Sequence, residues 1–268
     1  MNITNLVDLK IVLIEPSGVQ LKVLLGYLEG LGITHIIRFE TGQAALAAMR
    51  SDPPDLVVSA LYLPDMTGTD VVYAMRADTV LRTTAFILMS SETQPRYLDP
   101  IRQAGTIAIL PKPFSTQQLQ NALLTTLDYL DPHLLRLDTE HIMIEHLRVL
   151  LVDDSLTARG YIKHILQQLG IQRIDEAGNG REAISLIEHE FYDLVVTDYN
   201  MPEMDGQALT EYIRGQSGQS SVPILMVSSE SNQQRLAAVE QAGVSAICDK
   251  PFDPRIVRDL IAKMLASG

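Results

Sequence analysis

The sequence predicts a two-domain α/β protein, built as two doubly wound, five-stranded parallel sheets of five βα units each. Three observations carry this. The chain has 268 residues, 46% of them hydrophobic, which is room for two domains of ordinary size. It is also written twice: Asp198 matches Ala60, Gly206 matches Gly68, Ser228 matches Ser90 and Lys250 matches Lys112, each pair 138 positions apart. A repeat without net insertion means that the copies share backbone geometry, turn lengths included. Within each copy, short continuous apolar runs alternate with segments of helical periodicity. That is the pattern of parallel strands covered on both faces by right-handed crossover helices.

In the second copy the strands are RVLLV (148–152), a weaker run RIDEA (173–177), DLVVT (193–197), PILMV (223–227) and SAICD (245–249). Apolar spacing and capping residues place helices over 155–169, 180–189, 206–215, 232–241 and 254–265. The first copy runs with the same rhythm from about Leu9 to Leu130. The boundaries expected are 1–130 and 147–268, joined by a connector over 131–146. Asp131-Pro132 reads as a helix start or a turn, and the pattern leaves open whether the connector is a short helix or an extended spacer. Pro95 and Pro100 fall in the fourth helix of the first copy. Pro95 suits a first turn, whereas Pro100 removes a hydrogen bond and is expected to shorten or kink the helix.

Formal net charge is −12, spread as −3 over residues 1–130, −3 over 131–147 and −6 over 148–268. No segment has the basic excess that phosphate-backbone binding needs, so nucleic acid is not an expected partner. The single cysteine, Cys248, lies in an apolar run and reads as a small core residue, which fits the cytoplasm. Asp8 and Glu15 interrupt any signal-peptide core, and no apolar run approaches the roughly 20 residues that span a bilayer. The six histidines lack metal-ligand spacing, and His164 and His189 read as helix-surface residues. There is no P-loop and no strand-linked GxGxxG fingerprint.

Doubly wound sheets gather reactive groups at the carboxyl ends of their strands, beside the topological switch point. In the second copy Asp153 and Asp154 follow the first strand, Asp198 ends the third, Ser228 the fourth and Lys250 the fifth. Carboxylates so placed repel by about 4 kcal/mol per pair at about 4 Å and an effective dielectric near 20. A divalent cation relieves this, and a few hard oxygen ligands on one side suit Mg²⁺. Lys250 adds a positive charge and Ser228 a hydroxyl, both suited to a phosphoryl group. Asp198 is then a candidate nucleophile for phosphoryl transfer, giving an acyl phosphate. An isolated acid at a strand end is more often a helix cap, and Asp154-Ser155 fits that description. Five such residues converging from four strands favour chemistry.

These residues resemble a known family. The second copy, over about 147–268, is similar to response-regulator receiver domains of the chemotaxis-regulator type, which have a flavodoxin-like fold. The likeness rests on Asp153-Asp154, on DYNMPEMDG from Asp198, on Ser228 followed by Ser229-Glu230, and on Lys250-Pro251-Phe252. It implies that Asp198 is the phosphoacceptor, with Asp154 a direct Mg²⁺ ligand, Asp153 acting mainly through water, and Asn200 offering its backbone carbonyl. It further implies that Ser228 swings toward the phosphoryl group, that Lys250 pairs with it, and that Lys250-Pro251 is cis. Asn200 and Glu230 hold positions that tune self-dephosphorylation in the family. Ile247 departs from the pattern, which often has Tyr or Phe three residues before the lysine, and this puts the usual output coupling in doubt.

The first copy, over about 9–130, also resembles a receiver, with a broken site. Glu15-Pro16 replaces the acid pair, Ala60 the acceptor and Tyr62 the asparagine. Ser90 and Lys112-Pro113-Phe114 survive and read as loop geometry and packing rather than as an anion site.

The function expected is a two-component response regulator and not an enzyme. Its partners are a histidine kinase or phosphotransfer protein, a downstream protein, and a second receiver through homodimer or intramolecular pairing. The first copy is expected to be a non-phosphorylatable interaction or regulatory module. One alternative is a phosphorylation-independent adaptor, and another is the input portion of a longer regulator with an enzymatic or other output domain. A phosphatase with an aspartyl nucleophile is disfavoured, because such enzymes carry a second acid two residues on, where this chain has Asn200.

Overall fold

Continuous apolar runs end up where both faces of a sheet are covered. In the N-terminal unit they are β1 (Ile11–Ile14), β2 (Ile36–Phe39), β3 (Leu56–Ala60), β4 (Ala85–Ser90) and β5 (Ala108–Pro111). Around them pack α1 (Gly18–Gly30), α2 (Gly42–Ser51), α3 (Gly68–Ala77), α4 (Pro95–Gln103) and α5 (Thr116–Leu130). The C-terminal unit repeats this with β6 (Arg148–Val152), β7 (Arg173–Ala177), β8 (Leu194–Asp198), β9 (Ile224–Ser228) and β10 (Ala246–Asp249). Its helices are α6 (Leu156–Gln168), α7 (Gly180–His189), α8 (Gly206–Gln216), α9 (Gln233–Ala242) and α10 (Pro254–Ala266). This computed structural model describes residues 5–131, 137, 144–229, 233–251 and 253–266. By internal contacts the chain splits into units Met1–Leu134 and Leu135–Gly268.

Both sheets are parallel throughout, ordered β2-β1-β3-β4-β5 and β7-β6-β8-β9-β10. The order reverses beside β1 in one unit and beside β6 in the other, which sets each switch crevice over β1/β3 and β6/β8. The weak run RIDEA becomes the edge strand β7, in which only Ala177 is buried. By contrast Leu194, Val195 and Val196 of β8 are wholly buried, each worth about 2 kcal/mol of transfer from water.

Capping chemistry starts the helices where the sequence places them. Ser17, Ser115, Ser155, Asn179 and Asp205 each accept a hydrogen bond from a first-turn N–H. Strands β8, β9 and β10 each begin one residue later than the apolar pattern suggests, which puts Asp198 and Ser228 inside the last strand positions. Helix α4 runs unbroken through Pro100, with nine residues against ten in α9. Proline removes one backbone bond, but Leu98, Ile101 and Ala104 are packed into the core and hold the helix on the sheet. Cys248 is buried and its thiol is pushed up to about 12 by burial, so it is an inert core residue. Most of the connector, the start of the fourth helix at Asn232, and Glu230 and Phe252 lie outside the described residues. No described helix is long and apolar enough to cross a membrane.

Candidate functional site

Strands β6 and β8 are neighbours in register, Val152 beside Thr197, so the residues that follow them emerge side by side. Asp153 and Asp198 are buried there and Asp154 is exposed. Each of the three offers a carboxylate oxygen within 4.8 Å of the others. Lys250, just past β10, extends a buried ammonium into the same place. It donates to Asp198 Oδ1 at 2.8 Å and to Asp153 Oδ2 at 3.2 Å. Its own backbone N–H donates to the Ser228 carbonyl at 2.8 Å, which ties the lysine to the buried end of β9. The Lys250-Pro251 bond is cis.

The remaining lone pairs are met locally. Asp153 Oδ1 accepts from Ser155 N–H at 2.8 Å, and Asp198 Oδ2 from Asn200 N–H at 3.1 Å. Helix α6 is capped by the Ser155 hydroxyl, so capping does not account for Asp154, which accepts no hydrogen bond among the described residues. Burial pushes the Asp198 carboxyl up to about 6. Lys250 pulls the other way, while Asp153 and Asp154 add to the rise. Asp153 is raised too, again by burial first and against the pull of Lys250. One ammonium thus faces three acids, and this excess of hard, negatively charged oxygen on one side of a crevice is the donor chemistry of a magnesium site.

The equivalent place in the N-terminal unit is built differently. β3 ends in Ala60, which has no side-chain oxygen. Glu15 is buried after β1, accepts from Ser17 N–H at 2.9 Å, and receives the Lys112 ammonium at 2.8 Å. The same ammonium bonds the Gln20 side-chain oxygen. Ser90 Oγ accepts from Glu92 N–H at 2.9 Å, and the exposed Tyr62 hydroxyl donates to Glu92 Oε1 at 2.9 Å. Lys112-Pro113 is cis, and Lys112 N–H meets the Ser90 carbonyl at 2.7 Å, as in the other copy. Among the described residues the trio of metal-competent acids occurs in the C-terminal unit alone.

The family model for the response regulator receiver domain matches residues 11–124 and again 149–262. The chain belongs to that family. It is 33% identical to chemotaxis protein CheY-3 of Vibrio cholerae over 125 residues, 47% of this chain and 96% of the relative. Identity to a chemotaxis protein CheY homolog of Campylobacter jejuni is 35% over 123 residues, 46% of this chain and 95% of the relative. Among solved structures, the receiver domain of a Pseudomonas aeruginosa sensor histidine kinase, described with a magnesium ion coordinated in its active-site cleft, aligns at TM-score 0.42 and 27% identity. That alignment covers 45% of this chain and 98% of that one. A putative two-component response regulator/GGDEF domain protein aligns at TM-score 0.43 and 23% identity over 97% of this chain and 99% of its own. As tandem receivers the two units place the chain in two-component signalling.

The structure adds one set of contacts that the sequence did not point to and gives surroundings to two residues that it did, Ile247 and Gly206. Arg159 of α6 donates to the Asp153 carbonyl at 2.5 Å and to Glu176 at 3.0 Å, and Lys163 meets Glu176 at 2.5 Å. Their i, i+4 spacing on α6 was the available signal. Ile247, half-buried, packs against the cluster of Tyr199, Met226 and Val239, so the position three residues before Lys250 belongs to an apolar cluster beside the end of β8. Gly206 supports Asp198 directly, since a Cβ there would sit 2.3 Å from the Asp198 carbonyl oxygen. Gly206→Ala is therefore expected to lower stability by about 1–3 kcal/mol through forced backbone movement, read as a reduced urea midpoint.

Proposed function

We propose that the second receiver is the phosphorylated half of this response regulator. Asp198 takes a phosphoryl group from a histidine kinase or phosphotransfer protein in a Mg²⁺-dependent reaction and thereby alters binding to a downstream protein. The first receiver, spanning about 1–130 and joined by 131–146 to the second at 147–268, takes no phosphate and serves as an interaction or regulatory module, with homodimer or intramolecular pairing as its route of action. The cytoplasm is the setting this reading assumes. The observation that carries it is the contrast between a buried Asp198 bonded to Lys250 beside two further acids and an alanine at the matching place in the other copy.

An Asp198 carboxylate oxygen attacks phosphorus in line as the bond from phosphorus to the donor imidazole nitrogen breaks. The electron pair leaves with that nitrogen, and an acyl phosphate remains on Asp198. The Lys250 ammonium, already 2.8 Å from the carboxylate, stays beside the product and offsets its charge. Ser228, at the end of the neighbouring strand, offers its hydroxyl to a phosphoryl oxygen. Asp153, Asp154, Asp198 and the Asn200 backbone carbonyl would hold Mg²⁺, which when bound supplies the positive charge that three acids and a phosphoryl group require.

Incubation with Mg²⁺ and acetyl phosphate, followed by intact-mass measurement, is expected to add one phosphoryl group to the wild type and none to Asp198→Ala. Equal labelling of both would remove Asp198 from the reading. The packing of Ile247 against Tyr199 favours one rival, a phosphorylation-independent adaptor. Partner affinity that ignores beryllofluoride would select the adaptor.

A further inference from the structure

The first receiver, stripped of its acceptor, has a cavity that the phosphorylation chemistry does not use. It encloses about 420 Å³ between α1 and the loop after β5, within the range of small-molecule sites, about 300–1,000 Å³. Val19, Val23 and Tyr27, spaced four apart on α1, form one wall, and Pro113 and Phe114 form the other. Leu24 and Met89 close the floor, both buried. Val19 is 75% exposed and Val23 50%, so two neighbouring turns of α1 present aliphatic side chains to this space. At the upper end lie the buried Glu15 carboxylate, the Lys112 ammonium and the Gln20 amide.

The repeat shows where the two copies differ at this place. Helices α1 and α6 correspond residue for residue, and the second copy has Tyr161, buried, where the first has Val23. A phenol ring in one copy is answered by an isopropyl group in the other, and Thr157 is answered by Val19. The ring on this face also sits one turn further along in the first copy, Tyr27 standing where the second has the buried Ile165, so the stretch of wall at Val19 and Val23 carries aliphatic side chains, the one at Val23 smaller than its counterpart.

We propose that this cavity binds a small, uncharged, largely apolar molecule with a hydrogen-bonding group at one end. From Gln20 to Tyr27 the helix rises about 10 Å, which sets the length of the occupant. The walls are apolar, so they reward burial of aliphatic or aromatic surface. Glu15 and Lys112 neutralise each other at 2.8 Å, so a formally charged head group would have to displace one of them and leave the other buried without its counterion. A neutral carbonyl or hydroxyl can instead bond the Gln20 amide and leave the ion pair intact. The ligand would act on the receiver that phosphate does not reach, giving the chain a second input independent of Asp198.

N-phenyl-1-naphthylamine, a neutral diarylamine, is a suitable fluorescent probe. Titrated into the full chain, it is expected to show saturable enhancement with one site, equal in wild type and Asp198→Ala. Val23→Tyr, which installs the residue the sister fold already accommodates, is expected to weaken binding at least tenfold with an unchanged melting temperature. The sulfonated analogue 8-anilinonaphthalene-1-sulfonate is expected to bind at least tenfold more weakly to the wild type. Binding that survives Val23→Tyr places the dye elsewhere and overturns the proposal. Absence of saturable enhancement overturns it as well, and leaves the valine face to a protein partner. Preference for the sulfonate refutes the charge argument.

Discussion

Near pH 8, the Lys250→Met chain is expected to lose about 3 kcal/mol from the stability of its second receiver, the scale of effect when one partner of a buried ion pair is removed. The ammonium lies 2.8 Å from Asp198 Oδ1 and 3.2 Å from Asp153 Oδ2, so its loss leaves two buried carboxylates facing each other. Methionine keeps an apolar stem, and the missing charge rather than a cavity then sets the effect. Linkage gives the pH dependence. Burial holds the folded-state pKa of Asp198 at about 6, above its ordinary 3.8, so the folded chain binds this proton more readily than the unfolded one. The stability tied to this group is greatest at low pH and declines as pH rises from about 4 through about 6. Lys250 opposes the upward shift, and removing it moves the titration to higher pH. The deficit of the variant is therefore full near pH 8 and shrinks toward about pH 5, where the carboxyl is protonated in both chains. Urea unfolding at the two pH values measures this, and an equal deficit at both contradicts the account. Added Mg²⁺ should narrow the gap at the higher pH, and labelling by acetyl phosphate should slow by at least about tenfold.

The second site was legible in the sequence because each of its groups ends an apolar run, and in a doubly wound sheet strand ends converge by topology alone. Asp153, Asp198 and Lys250 meet as that rule requires. The cis bond before Pro251, expected from the family likeness, is also present. Less could be read where side-chain volume or pairing partners decide. Glu15 and Lys112 are 97 positions apart, and no periodicity tells a retained lysine that it will take a substituted glutamate as partner. An aspartate's shorter arm leads to the same loop, so the exchange reads as damage until the ion pair is visible. Pro100 shows local propensity and packing acting together: a shorter or kinked helix is expected, and α4 is one residue shorter than α9, while the packing of Leu98 and Ile101 carries it past the proline. The cavity beside α1 depends on a valine where its sister helix has a tyrosine, a difference of volume that becomes meaningful only once the facing Phe114 is placed.

If the first receiver takes no phosphate, as proposed, and missing side chains are the whole reason, restoring them should make it an acceptor. The scaffold is already in register: Ile14 pairs with Ser59 as Val152 pairs with Thr197. The Ser59 hydroxyl donates to the Ala60 carbonyl at 2.9 Å, as Thr197 does to Asp198 at 3.0 Å. A Cβ on Gly68 would meet the Ala60 oxygen at 2.5 Å, the same close support that Gly206 gives Asp198. Lys112 and Ser90 keep their backbone bond and the cis proline follows. What differs is chemistry: no carboxylate at Ala60, no second acid at Pro16, and a glutamate that, together with Gln20, occupies Lys112. The combined variant Glu15→Asp, Pro16→Asp, Ala60→Asp and Tyr62→Asn, made in the Asp198→Ala chain, is expected to take one phosphoryl group from acetyl phosphate, and only with Mg²⁺. Ala60→Asp alone is expected to take none, because Pro16 still offers no oxygen to a metal and the new carboxylate crowds the Glu15–Lys112 pair. That single variant should also be less stable than its parent, by about 4 kcal/mol if the new acid and Glu15 face each other ionised at contact distance. Intact mass after labelling and urea unfolding report the two effects separately. A fully folded four-residue variant that stays unlabelled would mean that backbone placement around β1 and β3, and not the identity of four side chains, is what withholds phosphate from this unit.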